Sequence, residues 1–166
     1  MCEISGYIGP HTAAPILTNA LKILAYRGYC SAGYAVLTDG NITSEKLAGD
    51  TSPEELYELA RKSASASTIG IAHTRWASHG EPTVRNCHPH LSKNGRVAVV
   101  HNGVIENHRK IREQLSRDGY KCVSETDTEV LAHLVERELK QGAQSLSDAV
   151  ARALEHTEDK IGRAHV

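Results

Sequence analysis

Phenylalanine is missing from this 166-residue chain, and tryptophan and methionine occur once each. A core built on stacked aromatics is thereby excluded. Any interior is expected to be built mainly from Ile, Leu, Val and Ala, within a hydrophobic content of 40%. There is no run of about 18 apolar residues, and polar and charged residues interrupt the N-terminus, so neither a membrane-spanning helix nor a signal peptide is expected. Neither charge is in excess: 19 Lys and Arg against 20 Asp and Glu leave a formal net charge of −1. The signs are interspersed, which argues against a nucleic-acid or lipid-binding surface. The four cysteines, Cys2, Cys30, Cys87 and Cys122, are far apart and form no CxxC pair. A disulfide scaffold is therefore not expected, and a reducing, cytoplasmic compartment is. No internal repeat or low-complexity stretch is visible. The length suits one domain, able to bury roughly 70% of its unfolded surface if it folds alone.

Periodicity supplies the elements that are present. Glu3–Ile8 alternates as a short strand, and Thr12–Ala25 carries a helical stripe of Ile16, Leu17, Ala20, Leu21 and Leu24. Gly33–Thr38 and Ile42–Leu47 flank Asp39-Gly40-Asn41, a hairpin signal. Ser52-Pro53-Glu54-Glu55 predicts a helix start with Ser52 as N-cap, Pro53 in first position and Glu55 closing a capping box. Thr68–His73 and Arg96–His101 read as buried strands. Helices are expected from Glu106 to Asp118, stopped by Gly119, from Thr126, with Glu129 three residues on in capping-box position, to just before Gly142, and from Leu146 to Glu155 behind a Ser145 cap. Strands and helices mix without regular βαβ alternation, so the fold class is α+β or a layered sandwich.

Position 2 is a cysteine directly behind Met1. A small second residue permits methionine excision, after which Cys2 would carry a free α-amine beside its thiol. One residue then supplies both nucleophile and base. Taken alone, Cys2 is equally a small apolar residue opening an edge strand. Five segments follow in order: CEISGYIG (2–9), YRGYCSAG (26–33), HTRWASHGEPTVRNCHPH (73–90), HNGVIEN (101–107) and SETDTE (124–129). Together they resemble the glutaminase domain of the glutamine–fructose-6-phosphate aminotransferase family, amidotransferases with an N-terminal cysteine nucleophile. The resemblance implies a four-layer αββα sandwich of the N-terminal-nucleophile hydrolase type. It spans 1–155 as an incomplete glutaminase domain, with 156–166 as a tail outside the family. That tail, ending in IGRAHV, reads as a gene-model artefact or as a genuine polar terminus. Glutamine is the implied substrate. Fructose 6-phosphate would be engaged only through a sugar-isomerase domain that this chain lacks. A homodimer is implied for the full-length form, and neither a cofactor nor a metal.

The same resemblance distributes the roles. Cys2 would attack the side-chain amide carbon of glutamine. Asn102, by its side chain, and Gly103, by its backbone N–H, would form the oxyanion hole, although Asn-Gly is also an ordinary turn signal. Arg75 would grip the α-carboxylate through two parallel hydrogen bonds, where a surface ion pair is the plainer use of an arginine. Asp127 would hold the α-ammonium, although an acid at a helix start is favourable through the dipole alone. Trp76, Ser78 and His79 lie on a polar loop resembling a lid over glutamine, whereas a lone Trp is more often core. Arg27 and His88 would be structural neighbours of the site. The cluster Cys87, His88, His90 has no metal-ligand spacing and is read as structural.

Two positions depart from the family. Glu3 stands where it has glycine, and Cys30 where it has the aspartate that would partner Arg27. Other readings therefore remain: a different N-terminal-nucleophile amidase, which would not need the Arg75 and Asp127 clamp, or an impaired, glutamine-binding remnant. Missing strands would also leave unpaired edges, so the short chain is expected to be less soluble than one extended by the family's further segment. Glu3 places a second negative charge beside the thiolate proposed at Cys2, and like charges in a partly dry site disfavour joint ionisation. Glu3→Gly should therefore speed alkylation of Cys2 at neutral pH, measured by timed mass spectrometry. An unchanged rate would mean that the carboxylate points away from the sulfur.

Overall fold

The structure is a computed structural model that describes residues 2–25, 29–63, 66–76 and 81–160. Residues up to Pro89 form one compact unit and those from His90 onward a second.

The first unit comprises β1 (Glu3–Ile8), α1 (Ala13–Leu24), β2 (Ser31–Thr38), β3 (Asn41–Ala48), α2 (Ser52–Lys62) and β4 (Ile69–Arg75). Its four-stranded sheet has the order β1-β4-β2-β3 with every pairing antiparallel. Successive side chains of a strand point to opposite faces. Ala32, Tyr34 and Val36 of β2 and Ala72 of β4 accordingly meet Leu17 and Leu21 of α1 and Leu56 and Ala60 of α2 in one apolar core. The α1 stripe is rotated from the one expected. Ala13, Ala14, Leu17, Thr18 and Leu21 are buried, while Ile16 is 38% exposed. Alanines let the helix approach the sheet, and Thr18 is tolerated inside because its hydroxyl donates to the Ala14 carbonyl at 2.7 Å.

The β2–β3 hairpin forms with a turn one residue shorter than the Asp39-Gly40-Asn41 signal, because Asn41 already opens β3. Thr38 pairs with Asn41, and Asp39 (φ 50°) and Gly40 (φ 77°) both take the positive φ of a two-residue turn. At α2 the expected cap shifts by one residue. Thr51 is the N-cap, Ser52 is already helical and buried, and the Thr51 hydroxyl donates to the Glu55 carboxylate. Pro53 still lies in the first turn, where its missing N–H costs nothing.

The second unit contains β5 (His90–Leu91), β6 (Ala98–Val99), β7 (Val104–Ile105), α3 (His108–Arg117), α4 (Glu129–Lys140), α5 (Leu146–Glu155) and β8 (Asp159–Lys160). Its core joins Val97, Ile105, Ile111, Leu115, Tyr120, Val130, Leu131, Leu134, Val135, Ala149 and Ala153. The strand expected over Arg96–His101 is reduced to Ala98–Val99, because among the described residues its ladder is with the two residues of β5. α3 begins two residues later than expected and ends before Gly119 (φ 80°). α5 matches its prediction at both ends, with the Asp148 N–H donating to Ser145 Oγ at 3.1 Å. Residues 159–160, within the stretch expected to be a tail, pair with β7. No described helix is long and apolar enough to cross a membrane.

Gly33 is required by proximity. It sits on the face of β2 opposite the helices, where an added Cβ would come within 2.1 Å of the His88 carbonyl oxygen, a backbone atom. Gly33→Ala should therefore displace the segment around His88. A loss of about 1–3 kcal/mol is expected from such overpacking, read as a lower denaturant midpoint at unchanged slope.

Candidate active site

In the first unit, Cys2 immediately precedes β1, and Arg75 closes β4. Glu3 pairs with Thr74 in the antiparallel register, which brings Cys2 to the end of β4. There the Trp76 backbone N–H donates to Cys2 Sγ at 3.1 Å, and the Sγ–H faces the Trp76 carbonyl at 3.6 Å. Trp76 itself is 52% exposed, so its ring is not part of a core. Arg75 is only 5% exposed, with Nη1 donating to the Glu81 carbonyl at 3.4 Å. Its backbone carbonyl accepts the Cys30 N–H at 2.7 Å, which ties the start of β2 to the same end of the sheet. His88 is buried, and its ring packs on His73 at a centroid distance of 4.2 Å.

In the second unit, Asn102 and Gly103 lie between β6 and β7. The expected strand is short, and α3 starts only at His108. Gly103 has φ 154°, and a Cβ there would meet the His101 ring at 2.8 Å. A side chain at 103 would thus be strained and obstructed together. Asp127 precedes α4 instead of lying in its first turn. Its Oδ2 accepts the Ile105 N–H at 2.8 Å, so the carboxylate is tied to β7 two residues after Gly103. His101 Nδ1 and Thr128 Oγ1, 3.3 Å apart, make a second tie between the same two segments. Asn102, Gly103 and Asp127 are thereby gathered in one place within this unit. Arg27, Ser78 and His79 lie outside the described residues.

The start of α4 also differs from expectation. It falls at Glu129, and no capping box closes on Thr126. Glu129, 4% exposed, instead turns back to accept the Val123 N–H at 2.8 Å, the Ser124 N–H at 2.7 Å and the Ser124 hydroxyl at 2.7 Å. From the other side, the Arg112 guanidinium donates to the Ser124 and Thr126 carbonyls, both at 2.8 Å. Thr126 Oγ1 and His90 Nε2 add a contact at 2.9 Å. These bonds hold rigid the loop that delivers Asp127. They were not legible locally, because the partners of Glu129 are backbone groups.

Residues 60–161 match the glutamine amidotransferase domain model. The chain is 47% identical over 163 residues to a glutamine–fructose-6-phosphate aminotransferase (isomerizing) of Chlorobaculum tepidum, covering 98% of this chain and 26% of that protein. It is 54% identical over 136 residues to the enzyme of the same name from Caldanaerobacter subterraneus subsp. tengcongensis, covering 82% and 22%. The chain thus spans about a quarter of the length of the curated relatives it matches. Among solved structures, glutamine phosphoribosylpyrophosphate amidotransferase from B. subtilis superposes with TM-score 0.76 at 27% identity, over 96% of this chain and 33% of that one. An allosteric regulatory enzyme of purine biosynthesis gives TM-score 0.78 at 28% identity, over 96% and 34%. The mixed fold of helix and sheet layers is theirs. This chain belongs to the glutamine amidotransferase family, the class whose glutaminase domains are N-terminal-nucleophile hydrolases. Within that class, the relatives at 47% and 54% identity are the aminotransferases that act with fructose 6-phosphate.

Burial alone would raise the pKa of Glu129. His133 beside it and the hydrogen bonds from Ser124 and Val123 outweigh burial and lower it from 4.5 to about 2. A carboxyl whose folded-state pKa is depressed stabilises the fold fully above its unfolded value and loses that contribution as pH falls toward the folded one. The stability gap between the wild-type chain and Glu129→Gln should accordingly be constant above pH ~5 and close as pH drops from 4.5 toward about 2. Melting curves across that range check this; parallel curves would contradict it.

Proposed function

We propose that this chain is the ammonia-generating portion of a glutamine–fructose-6-phosphate aminotransferase. It hydrolyses glutamine to glutamate and ammonia. The observation that carries the reading is the Trp76 N–H held 3.1 Å from Cys2 Sγ, at the strand end where Arg75 is buried.

After removal of Met1, the α-amine of Cys2, partly unprotonated at neutral pH, takes the thiol proton. The thiolate attacks the side-chain amide carbon, and negative charge develops on the amide oxygen. The Asn102 side-chain amide and the Gly103 N–H supply its donors. The carbon–nitrogen bond breaks as the ammonium of Cys2 returns the proton to the leaving nitrogen, and ammonia departs. The γ-glutamyl thioester then takes up water, deprotonated by the same amine, and releases glutamate and the thiol. Two modest steps replace one difficult amide hydrolysis. Arg75 and Asp127 hold the substrate's α-carboxylate and α-ammonium, which restricts the site to a free amino acid. Trp76, Ser78 and His79 cover it, and Arg27 and His88 support it.

The domain occupies a four-layer αββα sandwich, completed by segments that the longer relatives carry. Ammonia passes to fructose 6-phosphate in a sugar-isomerase domain of the whole enzyme, in a homodimer, opening hexosamine synthesis. Four cysteines far apart in sequence, with no CxxC pair, suit a cytoplasmic setting.

Mass spectrometry of the active protein should show Met1 absent. Cys2→Ser, or a residue added before Cys2, should abolish ammonia release. Asn102→Ala should cost about 10²–10³ in rate, with glutamine affinity nearly kept. Full turnover with Met1 in place overturns this mechanism. Glutamine binding without turnover by the processed chain would instead make it a binding remnant.

A further inference from the structure

We propose that Cys122, Glu129 and His133 form a binding site for a divalent cation of the zinc class, wholly within the second unit and made of residues other than those proposed to bind glutamine.

One ligand atom from each of the three residues lies within 4.8 Å of the others. The second observation is His133. It is 2% exposed, and neither ring nitrogen has a hydrogen-bond partner. Its Nε2 stands 3.7 Å from Glu129 Oε1, beyond hydrogen-bond distance but pointing into the cluster. A buried imidazole with both nitrogens unsatisfied is costly, and native structures rarely leave one without a reason. Its ring is held in place by Tyr120, at a centroid distance of 5.6 Å.

The backbone favours the arrangement. Glu129 and His133 are i and i+4 on α4, so both project from one face. Cys122 comes from the segment leading into the helix and is half-buried, which gives a cation a route from solvent. Glu129 Oε1 accepts the Val123 N–H and stands 3.7 Å from His133 Nε2, which leaves it one lone pair for a metal. Oε2 is occupied by Ser124.

The donor set selects the ion. One thiolate and one imidazole disfavour magnesium and calcium and suit zinc or its neighbours. Zinc bonds of about 2.3 Å to sulfur and 2.0 Å to nitrogen place tetrahedral ligands roughly 3.5 Å apart. The donor atoms would need to draw together by about an ångström, within reach of side-chain rotation. Three protein ligands leave the fourth position to water. On binding, the Cys122 S–H bond breaks, its proton passes to solvent, and a sulfur–metal bond forms. Thiolate and carboxylate then balance the two positive charges of the ion. The Arg112 guanidinium, fixed on the Ser124 and Thr126 carbonyls, is the nearby charge opposing it.

Cobalt(II) gives the test a signature that surface histidines cannot produce. The metal-free 166-residue chain should take up one equivalent of cobalt with a near-ultraviolet thiolate-to-metal band, bleached by one equivalent of zinc. Cys122→Ser should remove the band and weaken zinc binding at least tenfold, and His133→Gln should weaken it comparably. Cys2→Ser should keep the band. In the unaltered protein, free of any effect of substitution, zinc should slow N-ethylmaleimide labelling of Cys122 at least tenfold, read by peptide mass spectrometry. Absence of a thiolate band, a band that survives Cys122→Ser or disappears in Cys2→Ser, or unprotected Cys122 would each overturn the site.

Discussion

In the ladder between β1 and β4, Glu3 stands opposite Thr74 and Ile8 opposite Ile69, while on the other side of β4 Arg75 stands opposite Ser31. A slip of one residue in either pairing would turn every side chain to the wrong face. That register is fixed from two directions. Ala72 must face the helices together with Ala32, Tyr34 and Val36, and Gly33 must admit the His88 carbonyl on the opposite face. Once it is fixed, the position of Cys2 beside the Trp76 amide follows without any further device. The nucleophile is located by sheet packing some distance away, in the layer where α1 and α2 bury their leucines.

The second unit solves a different problem. α4 is buried nearly all round, and its interior positions include Glu129, His133, Glu136 and Glu138. Such a helix is usually apolar. Here each carboxylate is assigned a partner: Glu136 takes the Asn94 N–H at 2.9 Å and Lys140, and Glu138 takes Arg137 at 3.1 Å and His156 at 3.3 Å. Glu129 fastens the preceding loop. Polar burial thus specifies how the loops dock, and His133 is the member of the set for which the protein itself supplies no hydrogen bond.

Elements whose signals are local were readable from sequence. The strand Glu3–Ile8, the positive-φ turn at Asp39-Gly40 and the Ser145 cap each follow from the residues inside them. Elements decided by remote partners were not. Arg96–His101 has strand composition, but only Ala98 and Val99 find a ladder. Glu129 resembles the last member of a capping box on Thr126, yet the amides of Val123 and Ser124 claim it first. Ile16 lies on the predicted stripe and still faces outward, because the alanines beside it allow closer packing on the sheet. The site residues were recognised through resemblance to a family and not through periodicity. The Cys122, Glu129, His133 grouping has no motif spacing, and only the folded chain brings it together.

Trp76 is the sole tryptophan of the chain, and its backbone amide is the group that contacts the Cys2 sulfur. With that one indole half-exposed, tryptophan emission from this protein comes from the residue whose backbone amide touches the sulfur. The unlabelled chain thus carries one indole on the residue that hydrogen-bonds its own second residue, with no second indole to subtract when the surroundings of that bond are followed by emission.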